Sequence, residues 1–225
     1  MKARELNQNW TMRCVEDLQW QEAIVPGTVY TDLLRNGNME DPYWKDNEDA
    51  ICSLMEKDYE YQCTFQGEET EDLSNAFLRF EGLDIVADIY LNNVHVGNAE
   101  SMHRTWEYPV KEVLSPGENT LKVVFHSPLK FIAQAYKKYG NIGNDDTYEG
   151  FMHLRKAHYM FGWDWGAHLP DAGIFRPVFL CSVSHGRIDS VYIRQQHEEN
   201  KCTLKFKGDC IRETPGEYQW RVLVT

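Results

Sequence analysis

The chain has 225 residues, 42% of them hydrophobic, with 23 basic against 35 acidic side chains and a formal net charge of −12. That length suits one large β domain with something smaller beside it, or two modest domains. The acidic balance excludes nucleic acid as a partner, because phosphates demand a basic face, and no apolar run approaches the roughly 20 residues of a membrane span.

The opening segment through Trp10 and Trp20 has no clear period and is expected to wrap the outside of a sheet, with no hydrophobic secretion signal at its start. Thr28 can cap a short helix that turns Val29, Leu33 and Leu34 inward and stops at Gly37. Residues 36–49 are rich in turn formers and acids, which predicts a surface loop anchored by Tyr43 and Trp44.

Strand patterning begins at Tyr59. Tyr59, Tyr61, Cys63 and Phe65 alternate with Glu60, Gln62 and Thr64, as a strand with one wet face requires. Leu78 and Phe80 open the next strand. The run 84–91 is apolar on both faces, and Asn92-Asn93 supplies two positive-φ positions for a tight hairpin returning through Val94 and Val96. A turn at 115–119 leads to Leu121, Val123 and Phe125 on one face of another strand. Short strands with regular turns predict a β-sandwich.

One helix interrupts the strands. Ser127-Pro128 forms its cap and first turn, Leu129, Ile132, Ala133 and Tyr136 share a face, and Gly140 closes it. Residues 140–150 then read as an exposed loop. Beyond Leu180 the stretch 182–186 looks like a link, followed by three alternating strands: 191–195, 202–207 with Cys202, Leu204 and Phe206 inward, and 220–224. Six cysteines at 14, 52, 63, 181, 202 and 210 form no C-x-x-C pair, so all are read as reduced thiols, which points to the cytoplasm.

The densest chemistry lies at His153-Leu-Arg-Lys-Ala-His-Tyr-Met-Phe-Gly-Trp-Asp-Trp-Gly166. Tyr159, Phe161, Trp163 and Trp165 surround one acid, Asp164, between two glycines that permit tight backbone turns. Indole faces stack on the C–H face of a pyranose, and a carboxylate accepts bonds from two neighbouring hydroxyls. The competing reading is that the rings fill a core and Asp164 caps a turn. His153, His158 and His168 are read as separate structural histidines rather than a metal centre, and Asp145-Asp146 lacks the dense oxygen spacing of a calcium loop. Glu68, Glu69, Glu71 and Asp72 are read as a solvated face, not an acid/base pair.

This stretch, with Gly173-Ile-Phe-Arg-Pro-Val178, resembles the signature near the end of the first domain of β-mannosidases in glycoside hydrolase family 2. Blocks at 25–34, 36–44 and 80–92 resemble that domain in the same order. Ala167 stands where the family usually has proline, and Phe175 where it has tryptophan. The resemblance implies an all-β fold: a galactose-binding-domain-like jelly-roll sandwich over residues 1–184, then the first strands of an incomplete immunoglobulin-like sandwich over 185–225. It implies an exo-acting retaining hydrolase of terminal β-D-mannose whose two catalytic glutamates lie on a later barrel. Trp163, Asp164 and Trp165 would bind substrate here, with no catalytic residue, metal or cofactor in these 225 residues. The implied partners are a β-mannoside oligosaccharide and the C-terminal domains of the same chain, with no membrane. A free-standing carbohydrate-binding module and a family 2 glycosidase of other specificity are the alternatives.

Overall fold

The computed structural model describes residues 1–67, 75–144, 146–163 and 166–223. The expected sandwich is present as two antiparallel sheets enclosing one core. The larger runs β3 (Gln21–Glu22), β2 (Thr11–Cys14), β4 (Tyr59–Gln66), β9 (Glu118–Phe125), β6 (Ala87–Leu91) and β7 (Val94–Ala99). The smaller runs β1 (Lys2–Glu5), β12 (Val178–Ser182), β5 (Ala76–Phe80) and β8 (Trp106–Pro109). Alternation explains the core: Leu121, Val123 and Phe125 of β9 and Ile89 and Leu91 of β6 meet Leu78 and Phe80 of β5 and Val178 and Leu180 of β12. Tyr61 meets Phe125 edge-on, with ring centroids 5.8 Å apart. The fold is an all-β jelly roll.

The opening segment is part of the sheets, not a wrapping. β1 pairs with β12, β2 pairs with β4, and Trp10 is buried, its indole N–H donating to the Leu6 carbonyl at 2.6 Å. On β4, Glu60 departs from the predicted wet face and is buried. Arg13 on β2 donates to it at 2.6 Å, and Lys122 on β9 stands 3.8 Å away, so cross-strand cations compensate the charge.

Helix α1 (Val29–Arg35) starts at Thr28 with a capping box completed by Thr31, and Gly37 follows at φ +72°. Val29 and Leu33 are buried, but Leu34 is exposed, since its neighbour already fills the inward face. Tyr43 and Trp44 do not anchor their loop; they are 78% and 64% exposed. The loop instead turns into α2 (Asn47–Cys52), whose Ile51 enters the core, and a 3-10 turn over Ser53–Glu56. Helix α3 (Pro128–Tyr139) begins at Ser127 and ends at Gly140 as predicted, with Leu129 and Ile132 buried and Ala133 exposed. The Asn92-Asn93 hairpin forms with φ of +51° and +65°.

Beyond the sandwich, β13 (Gly186–Glu198) and β14 (Lys201–Arg212) pair, among the described residues, only with each other. Both strands are longer than predicted. The expected third strand is not formed over residues 220–223, although Trp220 packs on Gly208 and Tyr218 donates to the His185 carbonyl at 2.8 Å. Cys202, Leu204 and Phe206 are exposed rather than inward, because no second sheet covers this ribbon among the described residues. Arg187 ties its base to the sandwich through a two-pronged pair with Glu107 and a stack over Phe77. No helix among the described residues is long and apolar enough to cross a membrane.

Candidate functional site

The aromatic stretch is held from both sides by a buried polar network. Lys156, 2% exposed, reaches the Asp84 carboxylate and donates to the Asp171 carbonyl at 2.7 Å. Asp84 and Gly173 exchange backbone hydrogen bonds at 2.9 and 2.8 Å. The Asp171 carboxylate accepts from the Tyr30 and Ala172 amides at 3.1 and 2.8 Å, which joins it to the start of α1. Burial pushes Asp84 up against the pull of Lys156, and burial pushes Asp171 up to about 6 despite its hydrogen bonds. Lys156 precedes the aromatic turn and Asp171 follows it, so one ion-pair network fixes both ends.

Between them β10 (Phe161–Trp163) and β11 (Gly166–His168) form a short hairpin, with Phe161 opposite His168 and Trp163 opposite Gly166. Gly162 has φ +77°, and a Cβ there would lie 2.8 Å from the Gly166 carbonyl oxygen and 3.0 Å from the His168 ring. Only glycine fits both the backbone and the space. Phe161 is fully buried against Tyr148 and Phe151.

The three predicted rings that the structure describes, Tyr159, Phe161 and Trp163, therefore do not form one cluster. Phe161 belongs to the core. Tyr159, 77% exposed, lines a separate cleft with Arg104, Phe175 and Arg176, on a turn of 3-10 helix at His158–Met160. Trp163, 58% exposed, borders a cleft of about 450 Å³ lined among the described residues by Asn144, Asp146, Thr147 and His168. Asp164 and Trp165 lie outside the described residues, as do Asp145 and the acids at 68–72.

The three histidines are apart in role. The His153 ring meets the Gly140 carbonyl at 2.9 Å, and the His158 ring meets the Leu154 carbonyl at 3.2 Å. His168 is held by Glu48 of α2, whose Oε1 accepts its backbone N–H at 2.6 Å and lies 2.7 Å from ring Nδ1. The backbone N–H bond is the main reason that Glu48 titrates below the usual carboxylate range. Among the described residues no three His, Cys, Asp or Glu side chains converge as metal ligands. Arg155 is exposed; its carbonyl accepts from the Met102 amide at 3.1 Å. Neither Glu48 nor Lys156 shows its supporting role in the sequence, because the contacts across 120 and 72 positions that give them these roles leave no local signal.

Residues 10–176 match the family described as glycosyl hydrolase 2 galactose-binding domain-like, and the chain belongs to that family. Its sequence and fold match those of the N-terminal domain of β-mannosidases. It is 30% identical over 177 residues to a probable β-mannosidase of Caenorhabditis elegans, covering 74% of this chain and 20% of that protein. It is 31% identical over 197 residues to β-mannosidase B of Emericella nidulans, covering 85% and 23% respectively. The β-D-mannosidase crystal structure from Dictyoglomus thermophilum superposes with a TM-score of 0.89 at 33% identity, over 95% of this chain and 26% of that one. The chain thus spans about a quarter or less of the length of these relatives.

Proposed function

We propose that this chain is the N-terminal part of an exo-acting, retaining β-mannosidase that removes terminal β-D-mannose. Residues 1–184 form its jelly-roll domain and 185–225 the first strands of an immunoglobulin-like domain. Trp163, Asp164 and Trp165 border the mannose subsite, while two glutamates on a later barrel perform the double displacement. The observation that carries this reading is Trp163, a large indole left 58% exposed beside a polar cleft on a hairpin whose neighbours are locked in the core. Such a face suits the apolar side of a pyranose. The 33% identity to a mannosidase of known structure supports mannose over other sugars. Six free thiols support a cytoplasmic location.

The 225 residues alone place the sugar and do not cleave it. The test is made on the complete gene product, assayed with aryl β-mannoside, β-galactoside and β-glucuronide. Mannoside is expected to be preferred, and Asp164→Ala is expected to lower kcat/KM at least about tenfold through loss of charge-assisted bonds of roughly 1.5–3 kcal/mol each. Preference for another glycoside, or unchanged kcat/KM in a correctly folded variant, overturns the reading.

A further inference from the structure

The cleft beside Trp163 holds more unspent hydrogen-bonding capacity than the aromatic turn explains. The Thr147 hydroxyl oxygen is shut off from solvent yet has no hydrogen-bond partner among the described residues. Asn144 spends its side-chain oxygen on the Asp146 amide at 2.8 Å, which shapes the loop and leaves its amide group available. His168 is the most constrained member. One oxygen of Glu48 takes both the backbone N–H and ring Nδ1 of His168, so the strand and the imidazole are fixed together. The ring then rests against Gly162, where a Cβ would lie 3.0 Å from it. A carboxylate at Nδ1 selects the tautomer with its proton there, which leaves the Nε2 lone pair as an acceptor. A histidine that merely pinned β11 to α2 would not need to border a cleft.

We propose that His168 and Thr147 form the polar wall of a saccharide cleft beside Trp163. His168 Nε2 accepts a hydroxyl of the stacked pyranose, a χ1 rotation brings the enclosed Thr147 Oγ1 to another, and Glu48 is the positioning residue that sets the tautomer and aim of His168. This inference rests on the mannoside reading above and adds contacts to it that lie outside the Trp-Asp-Trp sequence. The chemistry calls for a neutral sugar hydroxyl as donor, in keeping with the acidic Asp146 on the same cleft, which would repel an anionic ligand.

The test uses the 225-residue chain and methyl β-D-mannoside, with histidine side chains followed by long-range 1H–15N NMR. In the free protein the His168 ring is expected in the Nδ1–H tautomer, and added mannoside is expected to shift its Nε2 signal while those of His153 and His158 stay still. His168→Ala is expected to weaken binding about three- to tenfold, the range for one neutral hydrogen bond. Glu48→Ala is expected to move the ring toward the other tautomer and weaken binding, and Glu48→Gln, which keeps an acceptor oxygen, to restore much of both. A purely structural pin would not change the tautomer-dependent sugar response. If mannoside shifts the Trp163 indole signal but not His168, the proposed wall is wrong and the mannoside reading survives. If it shifts neither while the complete gene product still prefers mannoside, the wall is again wrong; if that preference also fails, both fall.

Discussion

Replacing Lys156 by methionine tests the buried network at its centre. The side chain of Lys156 is fully enclosed, its partner carboxylate on Asp84 is 1% exposed, and Asp84 Oδ1 has no hydrogen-bond partner among the described residues. Lys156→Met therefore strands a carboxyl group with no bonded cation and only the weaker pull of His103 on its charge, and breaking such a pair costs about 3–5 kcal/mol. For a domain of this size each kcal/mol moves Tm by about 2–4 °C, so a fall of about 6–20 °C is expected in thermal unfolding followed by circular dichroism. The deficit should be smaller at pH 4 than at pH 7, because a stranded Asp84 folds in its neutral form and stability is lost as pH rises past the ordinary carboxylate range. Lys156→Met with Asp84→Leu removes both charges and should recover at least half of the loss. A fall below about 3 °C, or a double variant less stable than Lys156→Met alone, would refute the reasoning.

Asp171 sets a pH dependence of definite sign. Its folded pKa is raised from 3.8 to about 6 by burial, so the folded state holds a proton that the unfolded chain releases, and stability falls as pH rises from about 4 to 6. Asp171→Asn keeps the acceptor for the Tyr30 and Ala172 amides and should remove that slope in denaturant titrations; parallel curves for both proteins would contradict it. His126 acts in the opposite sense on charge: burial opposes its protonation, but bonds to Asp88 at 2.8 Å and Asp58 at 3.4 Å prevail and raise its pKa. Its contribution is complete below about pH 6.5 and fades as pH climbs through the higher folded value. His126→Gln should flatten Tm between pH 6 and 8, and an unchanged slope would exclude the role. Gly162→Ala should cost about 1–3 kcal/mol in unfolding free energy, given its positive φ and a Cβ 2.8 Å from the Gly166 carbonyl oxygen, and a neutral effect would refute the strain.

The sandwich was legible where the cause is local. Ser127-Pro128, the Asn92-Asn93 turn and the alternation through Leu121, Val123 and Phe125 each carry their reason within a few residues, and each appears as predicted. Where the reason is distant, the sequence misleads. Glu60 looked like a solvent residue because its cations come from two other strands, and Tyr43 and Trp44 looked like anchors because bulk was the only visible signal. The aromatic stretch stands out as a unit, yet Phe161, Tyr159 and Trp163 go to the core, one cleft and another, since a hairpin and a 3-10 turn rotate neighbours to different sides. Trp163 could be picked out from its type and setting. Glu48 could not, because an acid in a loop-like segment gives no hint of a histidine 120 residues away.

The ribbon of β13 and β14 also bears on how the protein behaves at high concentration. Among the described residues two strands of 13 and 12 residues leave two long edges open, and Ile188, Val191, Ile193 and Phe206 are exposed along them. Unpaired edges of that length invite strands from other molecules. Lys201, Lys205 and Lys207 punctuate β14, so two ribbons approaching through that edge bring ammonium groups together and must desolvate them. Salt screens this repulsion. Storage at low ionic strength should therefore keep preparations clear, and turbidity should rise as salt is added.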